Sequence, residues 1–461
     1  MKIKIKNLGV FKEAEFTLGD LTIICGQNNT GKTYATYALF GFLSTWKSIF
    51  SVEINDNKIE ELLANGVTHI DIQEYVKQVN QIVAKGCKIY SKEISNIFAA
   101  KEILFKDAEF SVTLDNKDIR LNTIIKQTVG SENISLFSIS NEEAITELVV
   151  TLLVDKKEAK IPREIIKRMI NDGIKDIIFK YIFCRPFIAS AERTGAAIFR
   201  KELNFARNRL LEELGQSDHK FDRVELLFKE YQDYALPIKI NVEFTRKLES
   251  IVKQNSFITE KYPEVLTDFA DIIGGEYTVT RNDELYYVPK GKKVRLSMDE
   301  SSSAVRSLLD IGFYLRHEAQ PNDLLMVDEP ELNLHPENQR RMARLFARLV
   351  NLGIKVFITT HSDYIVKELN TLIMLNGDKP HLKQIEEKEG YRTEELLSYE
   401  KVKVYIAEEV SKKLDGKSRK SKCHTLTEAN INPELGIEAR SFDITINEMN
   451  RIQEEIVWGC E

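Results

Sequence analysis

Residues 26–33, GQNNTGKT, limit the possible folds of this chain more than any other segment. They fit the pattern GxxxxGK[ST], follow an apolar strand predicted at 21–25, and open a helix predicted from Lys32 to about Leu43. In this context backbone amides approach phosphates, and the helix N-terminus favours negative charge. We expect Lys32 to reach the β- and γ-phosphates of ATP and the Thr33 hydroxyl to bind Mg²⁺. The predicted ATP-contacting residues are Gly26, Gln27, Asn28, Asn29, Thr30, Gly31, Lys32 and Thr33.

A second apolar strand, DLLMVDEP at 323–330, ends in two carboxylates. Phosphoryl transfer needs negative charge near the metal and near the attacking nucleophile. The sequence therefore predicts that Asp328 holds Mg²⁺ and that Glu329 polarises the attacking water. A third strand, KVFITT, is followed by His361, which is expected to face the same crevice and to contact the γ-phosphate.

These segments resemble those of ABC-type ATPases. GQNNTGKT, DEPELNLHP at 328–336 and TTHS at 359–362 are similar to the phosphate loop, the acidic strand with its D-loop, and the switch histidine. LNLHP and the opening NLGVFKEAEFTLGDLTIICGQN resemble the SMC, RecF and OLD branch. The resemblance implies an α/β ABC-type (P-loop) ATPase head with a mixed antiparallel and parallel sheet, helical insertions, and head-to-tail dimers around two ATP molecules.

The signature segment departs from the family pattern LSGGQ. ESSSAVRSLLDIGFYL, from Glu300 onward, stands in its place and is predicted to open a helix. Ser302 matches the signature serine, with Ser303 and Ala304 in place of glycines, although a register shifted by one residue also fits. Small residues at a helix start suit a γ-phosphate offered by a second subunit. We therefore expect Ser302 and Ser303 to contact the partner's ATP.

This variant resembles the stand-alone ATPases of antiphage systems of the PARIS, Septu and retron-associated kind. IASAERTG at 188–195 also resembles a segment of those proteins and occupies the place of the Q-loop. Within it, Arg193 is expected either to sense nucleotide or partner, or to be a structural arginine.

The remaining sequence predicts a split organisation. We expect a head at 1–43 and 181–380, a mixed α/β insertion lobe at 44–180, a helical insertion at 197–272 inside the head, and a C-terminal α/β extension at 381–461. FSVTLDNKDIRL in the lobe is predicted to form a hairpin that turns at Asp115–Asn116.

The net charge, the cysteines and the apolar runs of the sequence limit which partners the chain is expected to bind. The net charge of −6 gives no overall attraction for nucleic acid, so such a contact would need a local basic patch. KSRKSK at 417–422 is either such a patch or a solvated loop. The five cysteines stand apart, which indicates neither a zinc site nor a disulfide framework. Without a signal peptide or an apolar run long enough for a bilayer, a cytoplasmic protein with no membrane contact is expected.

Three functions remain open at this point. The tail after His361 lacks the acidic clusters of the Toprim nuclease that follows the ATPase in OLD proteins, so any effector is expected to be another polypeptide. We favour the regulatory ATPase of an antiphage system, a homodimer or higher oligomer that controls a nuclease or other toxin. The alternatives are a DNA-repair or chromosome-maintenance ATPase of the RecF and SMC kind, and a scaffold that binds ATP but hardly hydrolyses it.

Overall fold

A computed structural model describes most of the chain: residues 1–121, 123–131, 134–142, 146–153, 162–199, 234–281, 284–413, 420–438 and 448–456. The chain divides into two compact units. The smaller unit comprises 1–6, 42–93 and 107–185, and the larger unit comprises 7–41, 94–106 and 186–461. Within the described ranges, no helix has the length and apolar character needed to cross a membrane.

Eighteen strands are described in these ranges. They are β1 (Lys2–Leu8), β2 (Phe11–Thr17), β3 (Leu21–Cys25), β4 (Val67–Asp71), β5 (Glu109–Thr113), β6 (Lys126–Ser131), β7 (Ile134–Ser140), β8 (Glu147–Leu152), β9 (Pro186–Ala189), β10 (Gly275–Val279), β11 (Leu285–Pro289), β12 (Leu296–Ser297), β13 (Leu324–Asp328), β14 (Lys355–Thr360), β15 (Val402–Lys413), β16 (Lys420–Glu428), β17 (Ile431–Asn432) and β18 (Gly436–Ile437).

The α-helices of the same ranges are mostly short, and four are longer than 14 residues. They are α1 (Lys32–Ile49), α2 (Asp56–Asn65), α3 (Ile72–Val76), α4 (Val79–Ile97), α5 (Arg163–Phe179), α6 (Arg193–Ile198), α7 (Leu236–Arg246), α8 (Leu248–Ile251), α9 (Phe257–Lys261), α10 (Pro263–Ile273), α11 (Ser303–Ser307), α12 (Leu309–Phe313), α13 (Pro336–Asn351), α14 (Asp363–Leu375), α15 (Pro380–Glu389) and α16 (448–456).

The larger unit contains seven neighbouring strands of one sheet, in the order β2-β16-β15-β3-β14-β13-β9. Strands β9, β13, β14, β3 and β15 run parallel, whereas β15 and β16 pair antiparallel. Every residue of β3 and of β13 is buried, as expected for parallel strands covered on both faces. This mixed sheet with surrounding helices confirms the predicted α/β fold class.

Helix α13 shows how this sheet is covered. Its apolar side chains repeat on one face, and Met342, Leu345, Phe346 and Leu349 are all buried in the core of the larger unit. The sequence after residue 381, predicted as an extension, contributes β15 and β16 to the sheet, and β15 pairs directly with β3. Of the basic segment 417–422, residues 417–419 lie outside the described ranges, and 420–422 begin β16.

The smaller unit contains a four-stranded sheet, β4-β8-β7-β6, and a core rich in aromatic rings. Phe42 contacts the rings of Tyr90 and Phe110 at centroid distances of 5.5 and 5.1 Å. Phe179 and Phe183 stack at 5.6 Å. Ring contacts of this kind add to the stabilisation that comes from burying apolar area.

The predicted hairpin at 110–121 is wrong. Only β5 forms there, and it pairs antiparallel with β1, from Lys6↔Glu109 to Lys2↔Thr113. The Asp118 carboxylate accepts hydrogen bonds from the Asp115 amide (2.8 Å) and from the N-terminal amino group (3.1 Å). This local turn ends the strand, so the long-range partner β1 replaces the expected return strand.

Candidate active site

The parallel strands of the larger unit bring the predicted site residues to one sheet edge. β3 leads into the phosphate loop at Gly26, β13 ends at Asp328, β14 leads into His361, and β9 leads into Ser190. In α/β sheets, ligands bind at the carboxyl ends of the strands, where loops and helix starts converge. The topology therefore explains why residues far apart in the sequence meet.

The backbone of the phosphate loop requires glycine at two positions. Gly26 has φ +143° and Gly31 has φ +99°. A Cβ atom at Gly26 would lie 2.5 Å from the carbonyl oxygen of Ala407, and one at Gly31 would lie 2.8 Å from the Phe11 ring. Asn29, at φ +63°, adopts a conformation that asparagine tolerates better than most residues. Strand β15 and the start of β2 therefore lie close against the loop.

The Lys32 ammonium group is buried inside this loop. Its Nζ donates hydrogen bonds to the carbonyl oxygens of Gly26 (2.9 Å) and Gln27 (2.8 Å). An ammonium group has three protons, so one remains for a phosphate oxygen. Burial lowers the pKa of Lys32, and the nearby negative charges of Glu329 and Asp328 oppose that shift. A phosphate group would add further negative charge at this position and favour the charged amine.

The side chains of Asp328 and Thr33 place two oxygen atoms of the kind that bind metal ions next to the phosphate loop. Thr33 Oγ1 donates to Asp328 Oδ2 at 3.2 Å, and Thr359 Oγ1 donates to Asp328 Oδ1. Burial raises the pKa of Asp328 to about 6, and the hydrogen bond from Thr359 opposes the rise. A hydroxyl and a carboxylate are hard oxygen ligands of the kind that Mg²⁺ takes, so both residues fit a magnesium site. Bound there, the ion would supply charge neutralisation for the phosphates.

Glu329 and His361 lie side by side at the ends of neighbouring strands. Glu329 has φ +53°, an uncommon conformation for a residue with a side chain, and its amide donates to the Thr359 carbonyl at 3.0 Å. Its side chain is 27% exposed, and its Oε1 lies 3.7 Å from His361 Nδ1. Glu329 is therefore accessible to a water molecule, whereas Asp328 is buried.

Glu331 is a residue that the sequence reasoning missed. It is 7% exposed; its Oε1 accepts from the His361 amide (2.8 Å) and lies 3.1 Å from His361 Nδ1. Its Oε2 accepts from Thr360 Oγ1 at 2.9 Å. The close carboxylate favours a proton on Nδ1 and leaves Nε2 for another partner. Its place within DEPEL, two residues after Glu329, was the available signal.

Comparison with known sequences settles the family. Residues 1–366 match the family described as AAA ATPase domain. This chain belongs to that AAA ATPase domain family. The predicted enzyme class, an ATPase, is thereby confirmed. No curated protein matches the sequence.

Solved structures similar to this AAA ATPase domain protein include three SMC heads. One is an Smc head bound to the C-terminal winged-helix domain of ScpA, with 12% identity, TM-score 0.33, and 92% of this chain and 97% of that chain covered. A second is the Pyrococcus furiosus Smc head with an extended coiled coil bound to the C-terminal domain of ScpA, with 14% identity, TM-score 0.32, and 98% of each chain covered. The third is the SMC head domain of Thermotoga maritima, with 10% identity, TM-score 0.29, and 93% and 98% covered. Scores this low carry no argument about function.

The signature segment of this AAA ATPase domain opens a helix at its small residues, as predicted. Helix α11 begins at Ser303, and Ser302 is its N-cap, with Oγ accepting from the Val305 amide at 3.3 Å. Ser303 Oγ accepts from Arg306 Nη2 at 3.1 Å. The Ser302 side chain is exposed, so capping does not hide it from a second subunit. Its role toward a partner's nucleotide stays a prediction.

Arg193 in this AAA ATPase domain is 1% exposed, and within the described ranges its guanidinium donates only to backbone carbonyls. Nε donates to Ser307 (2.6 Å), Nη1 to Ser190 (2.8 Å) and Asp328 (2.6 Å), and Nη2 to Glu329 (2.8 Å). A group so enclosed is not placed to touch solvent or a partner surface. Of the two interpretations left open by the sequence, the structural one fits this geometry better.

Proposed function

We propose that this AAA ATPase domain protein hydrolyses ATP at the edge formed by β3, β13 and β14, and that the hydrolysis cycle regulates a separate effector. One observation carries the hydrolytic part: Lys32, Thr33, Asp328, Glu329 and His361 converge at that edge. Each has the chemistry that phosphoryl transfer to water requires.

The roles follow from charge and accessibility. Lys32 pairs with the β- and γ-phosphates, and the backbone of residues 26–33 cradles them. Thr33 and Asp328 hold Mg²⁺, for which a buried carboxylate and a hydroxyl are suited. Glu329, with its partly exposed carboxylate, orients and polarises the attacking water. His361, braced by Glu331, contacts the γ-phosphate and responds to its loss.

Two copies of the chain would complete each other's sites. Ser302 and Ser303 stand at an exposed helix start, which supports a contact with the γ-phosphate bound by a second copy. Ser302→Asp tests this, because aspartate caps a helix about as well as serine but repels a phosphate. We expect Ser302→Asp to lose ATPase activity, whereas the control Ser302→Asn, which caps without charge, keeps much more of it.

Mixing two inactive variants distinguishes an ATP site shared between two subunits from one that is complete within a single chain. Lys32→Ala chains and Ser302→Asp chains should each be inactive alone. In a mixed dimer, one composite site keeps Lys32 and Ser302 intact, and the other has neither, so activity should return toward half of the wild-type value. Absence of recovery in mass-verified mixed dimers would show that each site is complete within one chain.

The biological part of the proposal is control of a toxin in antiphage defence. It is supported by the resemblance of the variant signature at 300–315 and of IASAERTG at 188–195 to ATPases of such systems. ATP-driven closure can release a partner only if the partner binds the two states with different affinity. We expect expression with the neighbouring gene to protect cells from phage, often by killing or arresting them, and Lys32→Ala to abolish protection.

The control expresses each gene alone, and neither should protect. The neighbouring gene product should copurify with this chain before infection and separate from it afterwards. Protection by this gene alone would contradict the two-component proposal. Salt-sensitive DNA binding without any protection would instead favour a DNA-repair or chromosome-maintenance ATPase.

A further inference from the structure

Arg193 connects the catalytic strand end to the signature segment. Three of its hydrogen bonds go to Asp328 at the end of β13, to Glu329 directly after it, and to Ser190 in the loop after β9. The fourth crosses to the carbonyl of Ser307, the last residue of α11. One rigid planar group thus joins three segments that are far apart in the sequence.

The carbonyl of Glu329 is the most informative of these acceptors. The residue has φ +53°, a conformation that costs on the order of 1 kcal/mol or more and persists only where neighbours enforce it. Two hydrogen bonds enforce it here: the Glu329 amide donates to Thr359, and the Glu329 carbonyl accepts from Arg193 at 2.8 Å. Together they fix the direction in which the Glu329 carboxylate leaves the backbone.

The hydrogen bonds of Arg193 are unexpected because a buried carboxyl group, that of Asp310, lies near it. It lies on α12, is 1% exposed, and neither of its carboxylate oxygens has a hydrogen-bond partner in the part of the chain that the structure describes. Arg193 is the charged group that stabilises its negative form. A buried arginine near a buried carboxylate usually forms a direct ion pair. Here the guanidinium donates to four carbonyls instead, and Asp310 has no hydrogen bond within the described part of the chain.

We propose that Arg193 is a positioning residue for hydrolysis, which holds Glu329 in its left-handed conformation and ties that conformation to the signature segment at Ser307. This inference rests on the proposed role of Glu329. Arg193 is 1% exposed and acts through Glu329, whose carbonyl it binds. A displacement of α11 would pull on the same guanidinium that orients Glu329, so the two segments move together.

Arg193→Lys tests the inference. Lysine keeps the charge, but its three protons radiate from one atom and cannot span four carbonyls on three segments. Misplacement of a catalytic group by about 1 Å can lower kcat about 100-fold, so we expect kcat to fall by about 10- to 100-fold. The KM for ATP should change less than about threefold, because Lys32 and Thr33 are untouched.

The matched control is Arg348→Lys. Arg348 is 4% exposed and lies in the same unit, but it pairs with Glu264 and Asp268 on α10. It should lose stability and keep kcat per folded molecule. An unchanged kcat in Arg193→Lys, or an equal loss in both variants, would overturn the inference.

A double-mutant cycle separates this inference from the proposed function. If Arg193 acts through Glu329, Arg193→Lys should lower kcat no further in a Glu329→Gln background. Additive losses would overturn the positioning role. Wild-type hydrolysis by Glu329→Gln alone would instead overturn the proposed role of Glu329.

If Arg193→Lys does not fold, hydrogen–deuterium exchange on the wild-type chain answers the question. With Mg²⁺ and a non-hydrolysable ATP analogue, we expect peptides that cover 303–313 and 328–332 to gain protection together. Protection confined to the phosphate loop would contradict the link through Arg193.

Discussion

Two buried arginines of the larger unit bind different kinds of hydrogen-bond acceptor. Arg348 on α13 is 4% exposed and donates to carboxylates, with Nη1 bound to Asp268 and Nη2 3.3 Å from Glu264. Arg392 also pairs with Asp268, at 2.8 Å, so this cluster joins α10, α13 and the segment after α15. Arg193 is 1% exposed and, among the residues that the structure describes, donates only to carbonyls, while the nearby Asp310 has no hydrogen bond to any of those residues.

The difference distinguishes a region whose ion pairs stabilise the fold from the proposed catalytic region. In the Arg348 cluster each charge has a partner of opposite sign, as buried charges usually do. In the proposed function, the carboxylates at the nucleotide edge serve metal, water and His361, and in the further inference the arginine fixes the backbone. A buried carboxyl group without a hydrogen bond in the described ranges and a left-handed glutamate are local costs of the kind found at functional sites.

Lys32→Ala should have the largest effect of these substitutions. It should weaken ATP binding at the nucleotide edge without changing the stability of the fold. Its ammonium is the positive side chain within the phosphate loop, so we expect ATP affinity to fall by about 100-fold or more. Isothermal titration calorimetry with ATP and Mg²⁺ measures it. The unfolding midpoint should change little, and retained affinity would mean that the loop binds ATP without its lysine.

Arg348→Ala should show the opposite pattern. Removing one partner of a buried ion-pair cluster costs on the order of 2–4 kcal/mol, here reduced because Arg392 still reaches Asp268. Urea unfolding should report that loss, and kcat per folded molecule should stay at the wild-type value. A lower kcat with unchanged stability would erase the distinction between the two regions.

Asp310→Asn should have the smallest effect, and one that depends on pH. Burial raises the pKa of Asp310 to about 7, with Arg193 opposing the rise. Apart from Arg193, Tyr277 is the ionisable group within the described ranges on which the Asp310 charge acts. Because the folded-state pKa lies above the unfolded value, the wild type is stabilised at low pH and loses that stability as the pH rises from about 4 through 7.

The asparagine variant lacks this titration. Its stability relative to wild type should therefore increase by on the order of 2 kcal/mol between pH 5 and pH 8, as measured by denaturant unfolding at several pH values. Parallel pH profiles for the two chains would show that Asp310 does not ionise in this range.

The sequence predicted which residues meet at the strand ends better than it predicted the regions around them. The loop at 26–33 and the strand ends at Asp328 and His361 are local patterns, and each follows an apolar strand that is buried on both faces. Parallel pairing of these strands brings the loop and the two strand ends together, regardless of the sequence that separates them in the chain. The ATPase class and the α/β fold were predictable for this reason.

Long-range partners were not predictable in the same way. The strand at 109–113 pairs with β1, not with the residues that follow it, and β15 joins β3 from a segment predicted as an extension. The contacts of Arg193 depend on backbone carbonyls, which carry no residue-type signal. Glu331 lay inside a recognised motif, but only the structure shows its contact with His361.

Glu329→Gln tests the central claim most directly. The substitution keeps the size of the side chain and removes the charge that polarises water, while Lys32, Thr33 and Asp328 remain. We expect the Kd for ATP to stay within about threefold of wild type and single-turnover hydrolysis to slow by about 100-fold or more, with an ATP-bound dimer accumulating. Hydrolysis at the wild-type rate by a chain that binds ATP normally would contradict the account.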